Sequence, residues 1–334
     1  MTHVTRFGVS TAISLPRRAS PSKQRESVSI VVCTRNRAEK LRHTLNALAS
    51  LWIPEECECE FLVVDNGSTD HTARVCEDSR RLFARPLRRI YVTAPGLSEA
   101  RNAGLRAAQG SVIAYADDDV RPNSRWLEAI LREFLEDPGL GVLSGRVELF
   151  NPADLPHTLR LHTERATFNS MGHAFSLLAG CNFALRRSLV QRVGLFDEEF
   201  GTGARFGSAE DADFFYRAWK QGEKLVFAPE MLVYHDHGRR TAQDGRDLVR
   251  AYISGRGAFY AKHICLGDSQ ALRGLYWELR SAIRGAVRGN SDFGWKHAIW
   301  LVSGALYYFA VFPWIPKRNE PQQKRPSPQA TRTS

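Results

Sequence analysis

Short apolar runs alternate with segments of helical spacing along the first half of the chain. Consecutive β-branched and aliphatic residues predict buried strands at residues 28–33, 61–64, 90–92, 112–116 and 141–149. Between these runs, leucines at positions 41, 45, 48 and 51 predict a first helix, and residues 98–109, ended by Gly110, and 126–135 predict two more. Strand and helix alternate four times within the first 136 residues, which is typical of a parallel α/β sheet with helices on both faces.

Polar loops follow three of the predicted strands, at residues 34–37, 65–70 and 117–119. The carboxyl ends of parallel strands meet at one edge of a sheet, and open α/β sheets bind their ligands there. Neither Gly-x-Gly-x-x-Gly nor Gly-x-x-x-x-Gly-Lys follows the first strand. Their absence argues against a dinucleotide-dependent dehydrogenase and against a P-loop enzyme.

The third loop consists of three consecutive carboxylates, Asp117, Asp118 and Asp119. Carboxylates this close repel one another and raise one another's pKa unless a cation neutralises them. Such oxygen ligands suit Mg²⁺ or Mn²⁺, and Mg²⁺ in these sites commonly binds substrate phosphates as well. Because the first loop contributes Arg35 and Arg37, the two loops together suit a diphosphate. The alternative is a solvated acidic turn that caps the following helix.

Asp65 ends the second predicted strand and has no basic neighbour in the sequence. Its carboxylate is therefore a candidate acceptor for the N–H group of a nucleotide base. The alternative is a structural role, in which Asp65 caps the turn at Ser68.

The composition is that of an ordinary globular protein: of 334 residues, 43% are hydrophobic and 25% are charged. The net charge of +10 favours acidic partners such as nucleotide phosphates, anionic lipid or nucleic acid, without choosing among them. Six scattered cysteines and no visible secretory signal predict reduced thiols in a cytosolic protein. Residues 1–27 and 317–334 have the composition of a disordered leader and a disordered basic tail.

Four segments form a specific ordered pattern: Val28-Ser-Ile-Val-Val-Cys-Thr-Arg-Asn-Arg, Val64-Asp-Asn-Gly-Ser-Thr-Asp, Gly96-Leu-Ser-Glu-Ala-Arg-Asn-Ala-Gly and Ala116-Asp-Asp-Asp. Together they resemble the family 2 glycosyltransferases of the GT-A fold. The likeness extends to about residue 240. It implies a catalytic domain over residues 28–240, with a Rossmann-like sheet of parallel or mixed strands flanked by helices.

The resemblance also implies a nucleotide-sugar donor and a divalent metal, Mn²⁺ or Mg²⁺. In this family the first loop and the aspartate of the second segment hold the nucleotide. The Asp-x-Asp pattern, filled here by Asp117 and Asp119, contacts the ribose and coordinates the metal that bridges to the diphosphate. The nucleotide-sugar contacts implied for this chain are Thr34, Asn36, Arg37, Asp65, Arg101, Asp117 and Asp118.

The segment Ala209-Glu-Asp-Ala-Asp resembles the Glu-Asp motif of the same family. An acceptor hydroxyl that attacks an anomeric carbon must lose its proton, and we assign Asp211 as the base that takes it. Glu210 would orient the base or the acceptor. Since the metal neutralises the leaving diphosphate, one base and one metal suffice for a single displacement with inversion. The alternative is that these acids only stabilise the start of a helix.

His235 follows the last predicted core strand, in Val233-Tyr-His-Asp-His-Gly. A histidine at this place resembles a third metal ligand of the family, and a neutral imidazole can ligate Mn²⁺. His237 is the competing candidate, and an ordinary surface histidine is the other alternative.

Residues 298–316 contain no charged side chain, but a helix of this length only just crosses a bilayer core of roughly 30 Å. Upstream of it, four arginines share a predicted amphipathic stretch with large apolar residues. These features favour a helical extension, residues 241–316, whose 298–316 segment lies in the cytoplasmic membrane surface. A spanning helix and a buried core helix are the alternatives.

The leading interpretation is an inverting, metal-dependent glycosyltransferase at the cytoplasmic membrane face, with UDP the nucleotide that the resemblance favours. Its acceptor would be lipid-linked or a growing polysaccharide, and nucleic acid is not an expected partner. A sugar nucleotidyltransferase would use a similar sheet, but it normally has a Gly-rich, Lys-containing first loop where Thr34-Arg-Asn-Arg stands here. A non-catalytic protein that binds nucleotide or lipid is the third alternative.

Overall fold

One mixed sheet organises the described part of the chain, residues 26–289 and 291–314 of a computed structural model. The predicted disordered leader and tail fall outside these residues, apart from residues 26 and 27. The sheet contains β1 (Ser27–Thr34), β2 (Glu58–Asp65), β3 (Leu87–Tyr91), β4 (Val112–Asp117), β5 (Val120–Pro122), β6 (Leu140–Leu149), β7 (Ala166–Thr167), β8 (Asn182–Arg186) and β9 (Lys224–His235). Its strand order is β3-β2-β1-β4-β8-β6-β9-β5, and β7 pairs with β9.

Ten α-helices accompany the sheet within the described residues. They are α1 (Ala38–Ala49), α2 (Thr72–Ser79), α3 (Leu97–Ala107), α4 (Trp126–Glu136), α5 (His173–Ser176), α6 (Leu189–Val193), α7 (Glu210–Lys220), α8 (Ala242–Cys265), α9 (Ser269–Val287) and α10 (Ser291–Val311). The predicted alternation of strand and helix in the first 136 residues is confirmed.

The strand directions place the predicted loops together. β1 pairs in parallel with β2 on one side and β4 on the other, whereas β8 runs antiparallel to both β4 and β6. Because the strand order reverses at β1, the loops that leave β1 and β4 diverge and open a crevice at their carboxyl ends. In the register, Thr34 is paired with Asp65 and Cys33 with Asp117, so all three polar loops reach this edge.

Apolar side chains cover both faces of the sheet. Leu41 and Leu45 of α1 pack on one face together with Ile130 of α4, and Leu105 of α3 and Phe215 of α7 pack on the other. These side chains are buried, and each contributes about 1.5–3 kcal/mol relative to an exposed one. The sheet and the helices on its two faces therefore form three layers, and this packing fixes the positions of the strand ends.

The three last helices pack onto this domain through a third apolar cluster. Phe200, Phe206 and Tyr216 are buried in it together with Leu301 and Tyr308 of α10. α10 also crosses α8 closely: a Cβ atom at position 257 or 304, both glycines, would overlap a carbonyl oxygen of the facing helix. One side of α10 is therefore buried in the protein while the other side remains exposed.

Within residues 26–289 and 291–314, no helix combines the length and the apolar character needed to cross a membrane.

Candidate active site

A cavity of about 490 Å³ opens at the carboxyl edge of β1 and β4, a size typical of ligand sites. Nine of the predicted site residues line it: Thr34, Arg37, Arg101, Asp117, Asp118, Asp119, Glu210, Asp211 and His235. The structure therefore brings the predicted donor, metal and catalytic residues to one place. Two predicted residues, Asn36 and Asp65, do not line it: Asn36 is exposed and Asp65 is buried.

The three consecutive carboxylates differ in their surroundings. Arg37 bridges two of them, because its Nη1 and Nη2 lie 2.7 Å from Asp118 Oδ1 and 2.7 Å from Asp119 Oδ2. The hydroxyl of Thr34 donates to the other oxygen of Asp118 at 2.7 Å. Asp117 retains 33% side-chain exposure, so its carboxylate is the one most open to the cavity.

These surroundings also separate the pKa values of the carboxylates. Burial raises the pKa of Asp118 to about 7 although Arg37 opposes the rise. Burial also acts to raise the pKa of Asp119, but hydrogen bonds with His235 and Arg37 hold it well below its usual range. Asp119 is thus the carboxylate whose negative charge the site stabilises.

The two candidate histidines occupy different places. His235 ends β9 and lines the cavity, with its Nε2 3.2 Å from Asp119 Oδ1 and its Nδ1 3.0 Å from the hydroxyl of Thr158. His237 is buried, and its ring nitrogens lie 3.0 Å from the Leu155 carbonyl oxygen and 3.0 Å from the Arg239 backbone N–H. His235 lines the cavity and lies beside Asp119, whereas His237 does not line the cavity, so the geometry favours His235 as a ligand.

The donor set of Asp117, Asp119 and His235 fits a divalent metal in its chemistry, since carboxylate oxygens and an imidazole nitrogen are ligands of Mn²⁺. In this structure Arg37 supplies positive charge to Asp119 and to the neighbouring Asp118, and the ion pair of Asp117 is with Arg101 at 3.8 Å. Over the described part of the chain, no three His, Cys, Asp or Glu side chains are already arranged to hold an ion.

Arg101 fixes the Glu-Asp segment at the start of α7. Its side chain is only 2% exposed, and its Nη1 donates to Glu210 Oε1 at 2.7 Å while its Nη2 donates to the Gly180 carbonyl at 2.9 Å. Burial raises the pKa of Glu210 to about 7, with Arg101 opposing the rise. Glu210 is therefore a buried partner of Arg101.

Asp211 has a different environment from Glu210. It lines the cavity, its Oδ1 accepts the backbone N–H of Ala212 at 2.7 Å, and no cation among the described residues forms an ion pair with it. Its Oδ2 lies against Gly180, where a Cβ atom would come within 2.5 Å. A carboxylate with one oxygen anchored and no counter-ion has the character required of a base.

Backbone strain is concentrated around the cavity. Within the described residues, three non-glycine residues have positive φ: Asn36 (53°), Thr158 (64°) and Ala209 (73°). Thr158 and Ala209 line the cavity, and Asn36 lies between two residues that do. Such conformations are costly and cluster at functional sites.

The surroundings of Asp65 differ from those expected. The prediction that it has no basic neighbour is wrong, because an arginine from the adjacent strand lies beside it in the fold. Arg89 on β3 donates to Asp65 Oδ2 from Nε at 2.9 Å and from Nη2 at 2.6 Å. The other oxygen accepts the N–H of Ser68 at 2.9 Å, as the alternative role anticipated. Similarly, Asn36 Oδ1 accepts the N–H of Thr69 at 2.7 Å. Asn36 therefore joins the first loop to the second, while Asp65 joins the second loop to β3.

A buried ionic network at α7 was missed by sequence reasoning. Asp213 is fully buried and lies 2.7 Å from Lys262 Nζ, 3.0 Å from His263 Nε2 and 2.8 Å from Arg217 Nε. Burial acts to raise the pKa of Asp213, but Lys262 and Arg217 outweigh it and hold the pKa well below its usual range. The network joins α7 to α8. No local pattern signals it, since α8 begins about 30 residues later.

Sequence reasoning also missed one end of the cavity, which is lined by Thr158, Arg160, Arg239, Tyr252 and Arg256. These residues come from the connection after β6, the exit from β9 and the middle of α8. They are scattered along the chain, so no motif brings them together before the fold does.

A Rossmann-like sheet with an Asp-x-Asp loop at its carboxyl edge, facing a Glu-Asp pair across one cavity, defines a nucleotide-sugar-dependent enzyme of the GT-A fold. The chain belongs to glycosyltransferase family 2. The profile described as "Glycosyl transferase family 2" matches residues 29–194, and that described as "Glycosyl transferase family group 2" matches residues 112–316. The family predicted from the four segments is thereby confirmed.

Several curated relatives are glycosyltransferases. The probable glycosyltransferase YdaM of Bacillus subtilis (strain 168) is 24% identical over 233 residues, covering 66% of this chain and 53% of YdaM. The pre-mycofactocin glycosyltransferase of Mycobacterium tuberculosis (strain CDC 1551 / Oshkosh) is 29% identical over 272 residues, covering 77% of this chain and 50% of that protein. The chain thus spans about half the length of these relatives.

Solved structures share the fold. Mannosyltransferase PcManGT from Pyrobaculum calidifontis, in complex with GDP-Man and Mn²⁺, superposes with a TM-score of 0.60 at 19% identity, covering 88% of this chain and 90% of that one. S. aureus TarS 1–349 gives a TM-score of 0.51 at 18% identity, covering 86% and 91%. These likenesses extend the GT-A assignment over most of the chain.

Proposed function

We propose that this glycosyltransferase uses a divalent metal and a UDP-sugar, and that it transfers the sugar with inversion to a lipid-linked or polysaccharide acceptor. The observation that carries the proposal is the position of Asp211, which lies on the same 490 Å³ cavity as Asp117 and Asp119. The family assignment argues against the nucleotidyltransferase and the non-catalytic alternatives.

Each residue has a distinct role in this proposal. Asp211 accepts the proton of the acceptor hydroxyl as that oxygen attacks the anomeric carbon. Glu210, held by Arg101 at 2.7 Å, positions the start of α7 and hence the base. Asp117, Asp119 and His235 would hold the metal. A metal bound there supplies positive charge for the leaving diphosphate, while Thr34 and Arg37 orient the carboxylate loop.

The names of relatives and neighbours support the finer assignments. PcManGT was solved with Mn²⁺, which is consistent with metal use. TarS is named a poly(ribitol-phosphate) beta-N-acetylglucosaminyltransferase, and GgaA of Bacillus subtilis a minor teichoic acid biosynthesis protein. Acceptors of this kind support the proposal that the reaction belongs to cell-envelope or exopolysaccharide synthesis.

A thermal-shift panel tests the donor and the metal. We expect UDP and UDP-sugars with Mn²⁺ to raise the Tm by several degrees, because a ligand at 100 times its Kd stabilises the native state by about 2.7 kcal/mol. EDTA should abolish the shift. A larger Tm shift with GDP or dTDP would show that the donor carries that nucleotide instead of UDP. An undiminished shift in EDTA would contradict the proposed metal dependence.

We also propose that α9 and α10 attach the enzyme to the cytoplasmic membrane face. They expose large apolar residues: Leu272, Tyr276, Trp277, Val287, Trp295, Ile299, Leu306, Tyr307 and Phe309. Arg273 and Arg284 are exposed on α9 among these residues, and Arg288 is exposed directly after it. Arg280 lies 5.2 Å from the ring centre of Trp277. Aromatic residues combined with arginines suit the surface of an anionic bilayer.

Vesicle sedimentation tests this attachment. The double variant Trp277→Glu, Ile299→Glu should bind vesicles containing anionic lipid at least about tenfold more weakly. Each substitution replaces an exposed apolar side chain, which would be buried in the bilayer, by a negative charge that anionic lipid repels. Trp52→Glu is the matched control, since Trp52 is 52% exposed and Trp277 57%, but Trp52 lies on the sheet domain. Equal binding of the double variant and the wild type would contradict the attachment.

A further inference from the structure

The cavity carries more positive charge than its own acids neutralise. The arginines that line it are Arg35, Arg37, Arg101, Arg160, Arg239 and Arg256, and the acids are Asp117, Asp118, Asp119, Glu210 and Asp211. Arg37 pairs with two of the three consecutive aspartates and Arg101 pairs with Glu210. The remaining arginines, apart from Arg35 in the first loop, belong to the end of the cavity formed by α8 and the exit from β9.

Within the described part of the chain, each of three guanidinium groups at this end has either no carboxylate partner or one N–H group without a hydrogen-bond acceptor. The side chain of Arg239 forms no hydrogen bond or ion pair with any described residue. Arg160 donates only to backbone carbonyls, among them that of Leu178 at 3.0 Å. Arg256 pairs with Glu278 at 2.9 Å, yet its Nε is buried without a partner. Nearby, the hydroxyl of Tyr252 also has no partner among the described residues.

This basic end lies near the proposed base. Arg160 and Tyr252 lie close enough to Asp211 for its charge to act on both side chains. Asp211 lines the same cavity as the donor loops at residues 34–37 and 117–119. An acceptor hydroxyl that reaches Asp211 without crossing the donor must bring the rest of its molecule toward α8. The chemistry of that end therefore selects the acceptor.

We propose that Arg239, Arg256 and Tyr252 bind a phosphate group of the acceptor, next to the hydroxyl that is glycosylated; the inference rests on the proposed function through the role of Asp211. The planar guanidinium group of an arginine can donate two hydrogen bonds to two phosphate oxygens, and the tyrosine hydroxyl adds a neutral hydrogen-bond donor. A neutral glycan would instead leave the guanidinium group of Arg239 desolvated without an anion, which is unfavourable. The acceptor is thus a phosphorylated one, whether the phosphate belongs to a lipid carrier or to a polyol-phosphate chain.

Paired acceptors that differ only in phosphate test the inference. One arm compares a farnesyl-diphosphoryl sugar with the octyl glycoside of the same sugar, and the other compares glycerol phosphate oligomers with glycerol. We expect the phosphorylated member of at least one pair to have a kcat/KM at least about tenfold higher, since one charge-assisted hydrogen bond alone supplies such a factor. The arm with the larger ratio identifies the source of the phosphate.

Variants then locate the effect. Arg239→Ala should raise the KM for the phosphorylated acceptor roughly 10- to 100-fold, and Tyr252→Phe roughly 3- to 10-fold, without changing the KM for the donor. Arg250→Ala, exposed on α8 outside the cavity, is the control and should behave as wild type. Inorganic phosphate should compete with the phosphorylated acceptor in the wild type and less well in Arg239→Ala.

Donor hydrolysis separates the possible failures. If the enzyme binds and slowly hydrolyses its donor but uses neutral and phosphorylated acceptors equally, the phosphate site is wrong and the proposed function stands. If Arg239→Ala raises the donor KM instead, the guanidinium belongs to the donor diphosphate and the inference is overturned. If no nucleotide sugar is bound or hydrolysed, the proposed function fails and the inference fails with it.

Discussion

Replacing Asp211 by asparagine is expected to lower kcat on the order of 10²–10⁴-fold while leaving the affinity for the donor nearly unchanged. Asparagine keeps the size of the side chain and can still accept the Ala212 N–H, which lies 2.7 Å from Asp211 Oδ1, but it cannot take a proton. A general base acts in the transition state, so its loss appears in kcat rather than in ground-state binding. Steady-state kinetics together with donor binding measure the two effects separately.

Glu210→Gln is the comparison variant for Asp211→Asn. It leaves Arg101 buried beside a neutral amide, so it should mainly lower the free energy of unfolding, by about 3 kcal/mol or more. If Asp211 only stabilised the start of α7, its variant would lose about 1 kcal/mol of stability and turn over normally. If the Glu210→Gln variant were inactive and the Asp211→Asn variant active, Glu210 rather than Asp211 would be the base.

Asp119→Ala is expected to remove the metal dependence of donor binding from a folded protein. Asp119 is the carboxylate whose charge the site stabilises, through Arg37 at 2.7 Å and His235 at 3.2 Å. Loss of a direct ligand should weaken metal-dependent binding more than the roughly 10–100-fold that follows loss of an outer-shell partner. Titration of UDP in the presence and absence of Mn²⁺ measures the change.

Asp236→Ala is the matched control for the metal assignment. Asp236 lies close in sequence to His235, but it pairs with Lys40 at 2.9 Å and Arg121 at 3.0 Å and does not line the cavity. Its variant should keep the full effect of Mn²⁺. If Asp119→Ala also kept that effect, the carboxylate loop would not be the metal site.

The first half of the fold was predictable because its signals are local. A buried strand followed by an amphipathic helix is encoded within about 30 residues, and β1 to β4 appear where the apolar runs lie. Gly110 shows the limit of such reasoning. It was expected to end a helix, but α3 ends at Ala107, and Gly110 instead packs so closely on β1 that a Cβ would overlap the backbone at Ser29. That contact joins distant parts of the chain.

The site was predictable where motifs are contiguous and not where it depends on distant partners. Asp117, Asp119 and Asp211 stand in short segments that mark their loops, and all three reach the cavity. The Arg89 partner of Asp65 comes from the neighbouring strand, 24 residues later. Arg239 and Tyr252 meet the cavity only because α8 folds back against the exit from β9. Tertiary packing, rather than local propensity, decides these neighbours.

The shared core of α10 and the loop before α7 restricts how this enzyme can be engineered or recombined. Phe200 and Phe206 of that loop are buried against Tyr308, and Asp213 is neutralised by Lys262 and His263 of α8. A chimera joined at residue 240 would separate both sets of partners and expose α7. The smallest segment that can be exchanged as a unit therefore begins upstream of Phe200 and carries Glu210 and Asp211 together with the C-terminal helices.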